Sequence, residues 1–285
     1  MNFKIVKKIF FLILIILIAV VAFIYKNRDP KLLTIELPPA QEYRDFVVEN
    51  TTSTEEVSLE PEETVVEDEE IIENEEAVVE PEVPLVEDEP EEKSVVKAGT
   101  NLKVPFISQA PSKNWEQPFQ DACEEASVLM VDYYYNGKQV PGVAEQEDIL
   151  SAMVKWQEDN WGGHHNLPAD KVAELIYATF NYRVEVVEDL TAVKLKYYLD
   201  QGQPVIIPAD GRKLANPYFK NGGPAYHMLV VKGYVDDKFI TNDPGTMHGA
   251  DFVYSEENLF YSIHDWNTEK DQAIGPSVGL ILYPN

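Results

Sequence analysis

The sequence predicts an α+β domain, with helices packed on an antiparallel sheet, carried behind a transmembrane helix and a disordered acidic stalk. Three observations lead there. Helical periodicity dominates residues 121–201 and strand patterns dominate residues 204–283, and helices first with strands later is an α+β order. An apolar run close to the N-terminus is long enough to enter a bilayer. Between the two, residues 51–92 hold 19 acidic residues, no Lys or Arg, and no aromatic.

The apolar run covers Ile9 to Tyr25, 17 residues in all. As a helix it spans ~26 Å against ~30 Å of hydrocarbon, and flanking Lys4, Lys7, Lys8, Lys26 and Arg28 can snorkel to make up the length. It exceeds the 7–15 residues usual in a cleaved signal peptide, so an uncleaved anchor over residues 1–28 is the expectation. The positive N-terminal flank, with the acidic stretch beyond the other end, puts the N-terminus in the cytoplasm and the C-terminal domain outside, at the membrane surface. Residues 29–97 are predicted to be a disordered linker, because Glu, Val and Pro without aromatics cannot bury enough apolar surface to offset chain entropy. Like charges extend it, and its plain role is a spacer that holds the domain off the membrane, with a cation-binding or partner-binding tail as the alternative.

Residues 98–285 are predicted to form the folded domain. Ala122, Ala126, Leu129, Met130 and Tyr133 mark a helix over 121–135, ended by Asn136-Gly137. Further helices are expected over 145–156, over 168–180 behind Pro168, and over 191–201 before Gly202. Strands are expected over 182–187, 204–208, 226–234, 238–242 and 279–283.

Composition narrows the function. The chain has 285 residues and a net charge of −27, which excludes the basic face that a nucleic-acid binder needs. Residues 101–285 carry 26 acidic and 14 basic residues, so most of the excess belongs to the linker. Cys123 is the sole cysteine, so an intramolecular disulfide and a four-cysteine zinc site are both excluded. His164-His165 lies in a Gly-rich loop with no second ligand at helical spacing, and no metal is expected there. Trp156 and Trp161 fit core packing better than a substrate groove.

Three residues combine into a possible reaction centre. Cys123 stands at the start of a predicted helix, where the positive helix end favours a thiolate. His227 enters a strand behind Gly222-Gly223-Pro224, and Asp243 ends the next strand at Asn242-Asp243-Pro244-Gly245. A hairpin would put both at one end of adjacent strands, the carboxylate orienting the imidazole and the other ring nitrogen facing a nucleophile. Singly, a buried cysteine, a core histidine and a turn aspartate are commonplace; the conjunction is what carries meaning.

Val104-Pro105-Phe106-Ile107-Ser108-Gln109, followed by Cys123-Glu124-Glu125-Ala126-Ser127, resembles the opening of the bacterial cysteine peptidases of family thirty-nine. These include bacteriocin-leader-processing peptidases and stand-alone relatives. Gln201 to Pro208, His227 behind its glycines, and Asn242-Asp243-Pro244-Gly245 resemble later motifs of that family, so the likeness covers roughly residues 102–283. It implies a papain-like fold with Cys123 as nucleophile, His227 as general base and later acid, and Asp243 as orienter. It also implies an upstream glutamine as oxyanion donor. Gln109 has the matching context, Gln117 the six-residue spacing of papain-like enzymes, and Gln120 lies three residues before Cys123; Gln109 ranks first. Ala122-Cys123-Glu124 departs from the Asp-Cys-Gly of transporter-linked members, and no Walker-type motif occurs, so the likeness is to the stand-alone branch.

The resulting expectation is a membrane-anchored, monomeric cysteine peptidase outside the cytoplasm, acting on a peptide or protein without a cofactor. A cell-wall peptide amidase with the same three residues, or a catalytically silent surface binding module, are the alternatives.

Overall fold

Cys123 opens a helix so deeply placed that its first twelve residues, Cys123 to Tyr134, are all buried. A helix covered on every side must lie inside its domain rather than on it. The computed structural model describes residues 35–52 and 99–284. In chain order they form helix α1 (Tyr43–Thr52), strand β1 (Gly99–Asn101), α2 (Cys123–Tyr135), α3 (Val143–Trp161), α4 (Ala169–Phe180) and β2 (Arg183–Glu188). Then come α5 (Ala192–Asp200), β3 (Val205–Ala209), α6 (Gly211–Leu214), β4 (His227–Val235), β5 (Lys238–Asn242) and β6 (Phe252–Ser255). The chain closes with α7 (Glu256–Ser262), β7 (Trp266–Asn267), β8 (Gln272–Ala273) and β9 (Val278–Tyr283).

The main sheet is antiparallel throughout, in the order β2-β9-β3-β4-β5-β6. One edge of β4 is shared: β3 covers its first half and β1 its second. The first seven residues of β4 are buried, and both α2 and α5 pack on it, so the strand is covered on two faces. This explains why His227 to Val231 reads as a continuous apolar run rather than an alternating one. The fold is therefore the expected α+β arrangement of helices on an antiparallel sheet.

Several helix ends sit where local chemistry puts them. Gly162, at φ 79°, stops α3 five residues later than the periodicity suggested. Pro168 precedes α4 as its cap rather than lying in its first turn. The Thr191 hydroxyl accepts the Lys194 N–H at 3.3 Å and starts α5. The sequence reading lacked α1, α6, α7, β1, β6, β7 and β8. Of these, β1, β7 and β8 are two or three residues long, too short for a period to show.

The predicted boundary at residue 98 needs correction, because the folded unit begins at Pro38. Gln41 bonds the Asn101 carbonyl and receives the Lys103 N–H, both at 2.7 Å, as a parallel bridge beside Leu102. The Asn101 amide donates to the Pro38 carbonyl at 3.0 Å. Tyr43 meets Tyr135 edge to face at 4.7 Å, and Phe46 is 6% exposed. Phe46 lies over Gly202, where an added Cβ would come within 2.5 Å of its ring. Residues 38–46 escape a composition argument because the linker's bias begins beyond them, while Tyr43 and Phe46 supply the aromatic surface that 51–92 lacks. The remaining linker residues, 29–34 and 53–97, and the predicted anchor, 1–28, lie outside the described residues. No helix among the described residues is long and apolar enough to cross a membrane.

Phe46→Ala is expected to lower stability by about 3 kcal/mol, as for a buried aromatic, read as a fall in the urea unfolding midpoint. An unchanged midpoint would mean that the 38–46 segment contributes nothing to the folded unit.

Candidate active site

Cys123 is positioned from behind by a glutamine. Gln109 is buried, and its amide donates to the Phe119 carbonyl at 3.0 Å and the Gln120 carbonyl at 2.7 Å. These oxygens belong to the short 3-10 turn Phe119–Asp121 that leads into α2. The Gln109 main-chain N–H bonds the Pro244 carbonyl at 3.1 Å, next to Asp243. One residue thus ties the loop before Cys123 to the turn holding Asp243. Both side-chain protons of Gln109 are spent on these carbonyls, so in this arrangement it acts as a brace rather than as a free donor. Gln117 is exposed and bonds Asp121, and Gln120 is exposed as well.

The imidazole and the carboxylate meet as the hairpin predicts. Val230 faces Asn242 across β4 and β5, which leaves His227 and Asp243 at the same end of the pair. His227 Nε2 lies 2.7 Å from Asp243 Oδ1. Asp243 is fully buried and saturated: Oδ1 also receives the Gly245 N–H at 3.1 Å, and Oδ2 receives the Tyr254 hydroxyl at 2.7 Å and the Asn216 amide at 3.0 Å. Burial pushes this carboxyl upward, but His227 and the two side-chain donors outweigh it, and Asp243 stays below the usual carboxylate range. With Nε2 occupied by the carboxylate, Nδ1 is the nitrogen left for proton transfer. The Phe219 ring stands edge-on to the imidazole at 5.3 Å. A Cβ at Gly245 would come within 2.7 Å of His227 Cε1, so only glycine fits there.

The thiol behaves differently from the sequence expectation. The Met228 peptide N–H, next to His227, is close enough to the sulfur to favour its ionised form. Yet the Cys123 S–H donates to Glu124 Oε2 at 2.9 Å, and no hydrogen bond joins it to His227 among the described residues. Burial, followed by the Glu124 and Glu125 charges, drives the thiol well above its usual range, where the helix end alone was expected to lower it. The magnitudes explain the reversal. A helix N-terminus stabilises a thiolate by at most about 2 kcal/mol, whereas burying a charge costs several kcal/mol.

Glu124 and Glu125 are 1% and 0% exposed. Glu124 Oε1 receives the Leu167 N–H at 3.0 Å. Glu125 Oε1 receives the Gln157 amide and lies 3.3 Å from His164 Nε2. When protonated, His164 is the counter-charge of Glu125; among the described residues no group of three His, Cys, Asp or Glu is placed to hold a metal ion. Trp156 and Trp161 pack edge to face on each other at 5.0 Å against the core. A cavity of about 960 Å³ beside α1 is lined by Tyr43, Tyr133 and Lys138, away from Cys123, and has no reactive group to recommend it over the Cys123 region.

Sequence reasoning missed Asn216 and Tyr254, which hold Asp243, and noted Glu124 only as a departure from the Asp-Cys-Gly pattern, with no role for Glu125. Asn216 carries only the weak signal of an Asn-Pro pair, and Tyr254 carries none.

Burial disfavours the His164 cation, but the ion pair with Glu125, with help from Glu124 and Asp121, outweighs this and raises its pKa. The pair's stabilisation is then complete below pH ~6.5, the unfolded value, and fades as pH rises through the higher folded value. His164→Asn should accordingly cost more stability at pH 6 than at pH 8.5. Equal losses in thermal unfolding at both would show that no charged pair exists.

A protein-family comparison matches residues 101–274 to the model described as "Peptidase_C39 like family". Among solved structures, one from Bacillus anthracis described as C39-like is 17% identical, covering 66% of this chain and 98% of its own, at a TM-score of 0.43. A double-glycine-motif protease from an AMS/PCAT transporter, in complex with the leader peptide, is 20% identical over 65% of this chain and 95% of its own, at 0.38. The peptidase domain of Streptococcus ComA is 14% identical over 58% and 93%, at 0.32. No curated protein matches in sequence.

Proposed function

The chain belongs to the Peptidase_C39 like family and is a cysteine peptidase, and we propose that it hydrolyses peptide bonds through Cys123, His227 and Asp243. The observation that carries this reading is a coincidence of place. The only cysteine in the sequence opens a buried helix, against the strand whose first residue is a histidine tied to a buried aspartate at 2.7 Å.

In this reading the sulfur turns from Glu124 toward His227 Nδ1 and gives up its proton there. The thiolate attacks the amide carbonyl. N–H groups at the start of α2 lie nearest the oxyanion, since a helix's first N–H groups have no intrahelical acceptor. Gln109 holds their loop and contributes directly only by releasing one of its two carbonyl partners. His227 then protonates the leaving amine, and water, deprotonated by Nδ1, releases the acyl group. Asp243 keeps Nε2 protonated and the ring oriented through both steps.

The apolar run 9–25 supports anchoring of the domain to a membrane on the extracytoplasmic side. Carbonate extraction, with protease treatment of intact cells, tests this: release at alkaline pH or protection from protease would contradict it.

Cys123→Ala is expected to abolish peptide hydrolysis, and His227→Ala to reduce it by at least about 10²–10⁴-fold, with the thermal unfolding midpoints near wild type. Undiminished turnover in either purified variant would refute the mechanism.

A further inference from the structure

A carboxylate in the first turn of an exposed helix is favourable and ordinary. Glu124 occupies such a position in the middle of the molecule, where an ionised group needs dedicated partners. It has two, the Leu167 N–H on Oε1 and the Cys123 thiol on Oε2. The groups around it are few. Cys123 and Glu125 share its helix, and His164 faces it from the loop after α3. Tyr226 faces it from the segment before β4, with a hydroxyl already spent on the Leu167 carbonyl at 2.6 Å. Asp121 and Asp265 lie further out, toward His164 and Tyr226. His164 is already paired with Glu125. Among these groups no second cation neutralises Glu124, and of the side-chain protons around it the one it holds by hydrogen bond belongs to the nucleophile.

We propose that Glu124 is a positioning residue that latches the nucleophile: ionised, it keeps the Cys123 proton and directs Sγ away from His227; protonated, it frees the sulfur to pair with the imidazole. Opening the latch takes one proton from solvent onto Glu124 Oε2. The S–H then turns to His227 Nδ1 and transfers its proton, leaving a neutral carboxyl, a thiolate and an imidazolium. The proposal relies on the peptidase reading for the name nucleophile, but the latch is a property of the thiol and is measured without substrate.

The acid–base balance agrees with the geometry. Burial, then the neighbouring Glu125 charge, push Glu124 up to about 7, while the ionised carboxylate is among the causes holding the thiol high. Lowering the pH through neutrality therefore opens the latch, so the Cys123 reactivity should rise where that of a free thiol falls. A free thiol loses reactivity about tenfold per pH unit below ~8.5.

The test is the rate of iodoacetamide alkylation of Cys123 in the purified full chain between pH 5.5 and 8.5. The wild type is expected to react faster at pH 6 than at pH 8. Glu124→Gln keeps an acceptor for the Leu167 N–H without the charge; it should react about tenfold or more faster than wild type at pH 8 and equally at pH 6. A wild-type rate that climbs with pH like a free thiol would overturn the proposal, and this measurement needs no variant to fold. A Glu124→Gln profile superimposed on the wild type would overturn it too. An inverted alkylation profile in a chain that cleaves no peptide would uphold the latch and refute the peptidase reading alone.

Discussion

The burial of α2 against β4 is the constraint on which the rest depends. A helix buried from Cys123 to Tyr134 cannot shift without disturbing every layer, because close-packed interiors transmit small displacements. Its first residue is thereby held beside the beginning of β4, where His227 stands. The Ser127 hydroxyl donates to the Met228 carbonyl at 3.3 Å and fixes the helix to the strand within one turn of the cysteine. Ladders with β3 on one edge and β5 on the other leave β4 no freedom to slip in register.

Such depth requires buried polar groups to be partnered; two carboxylate clusters meet the requirement, and a third, where Glu125 Oε2 and Gln157 Oε1 have no hydrogen-bond partner, meets it only in part. Around Asp243 the donors are His227, Tyr254, Asn216 and the Gly245 N–H. Around Asp132, at the far end of α2, they are Tyr182, Asn136 and Lys138. Both sets over-satisfy one carboxylate and make it a fixed point. The third cluster differs in that two carboxylates, Glu124 and Glu125, share one imidazole, one amide, one peptide N–H and a thiol. Incomplete compensation there makes the Cys123 end of α2 the electrostatically adjustable end, while the His227–Asp243 side is rigid.

The segment from Pro38 to Phe46 changes what the acidic residues mean for the molecule. It is joined to β1 and the following residues by main-chain bonds and covers the tyrosines at the end of α2. In the sequence the acidic stretch lies between two parts of one compact unit, residues 38–46 and the residues from Gly99 onward. A compositional reading assigns boundaries where composition changes. Here a short, unremarkable segment gains its stability from residues far along the chain, such as Asn101, Tyr135 and Gly202, which no local pattern reports.

What the sequence determined by itself was the class of the fold, the places of the long helices and central strands, though α3 runs five residues further, and the placing of His227 and Asp243 at one end of a hairpin. Each follows from local periodicity or from a hairpin, where neighbours in space are neighbours in sequence. The match of Gln109 to its motif was also legible, though its bracing of two loops was not. The tertiary structure alone decided that the first turn of α2 is interior, because burial depends on what the rest of the chain lays over a helix. That single fact buries Glu124 and Glu125 and sends the Cys123 proton to a carboxylate. It also reverses the sign of the thiol's shift, since desolvation outweighs a helix end once water is excluded.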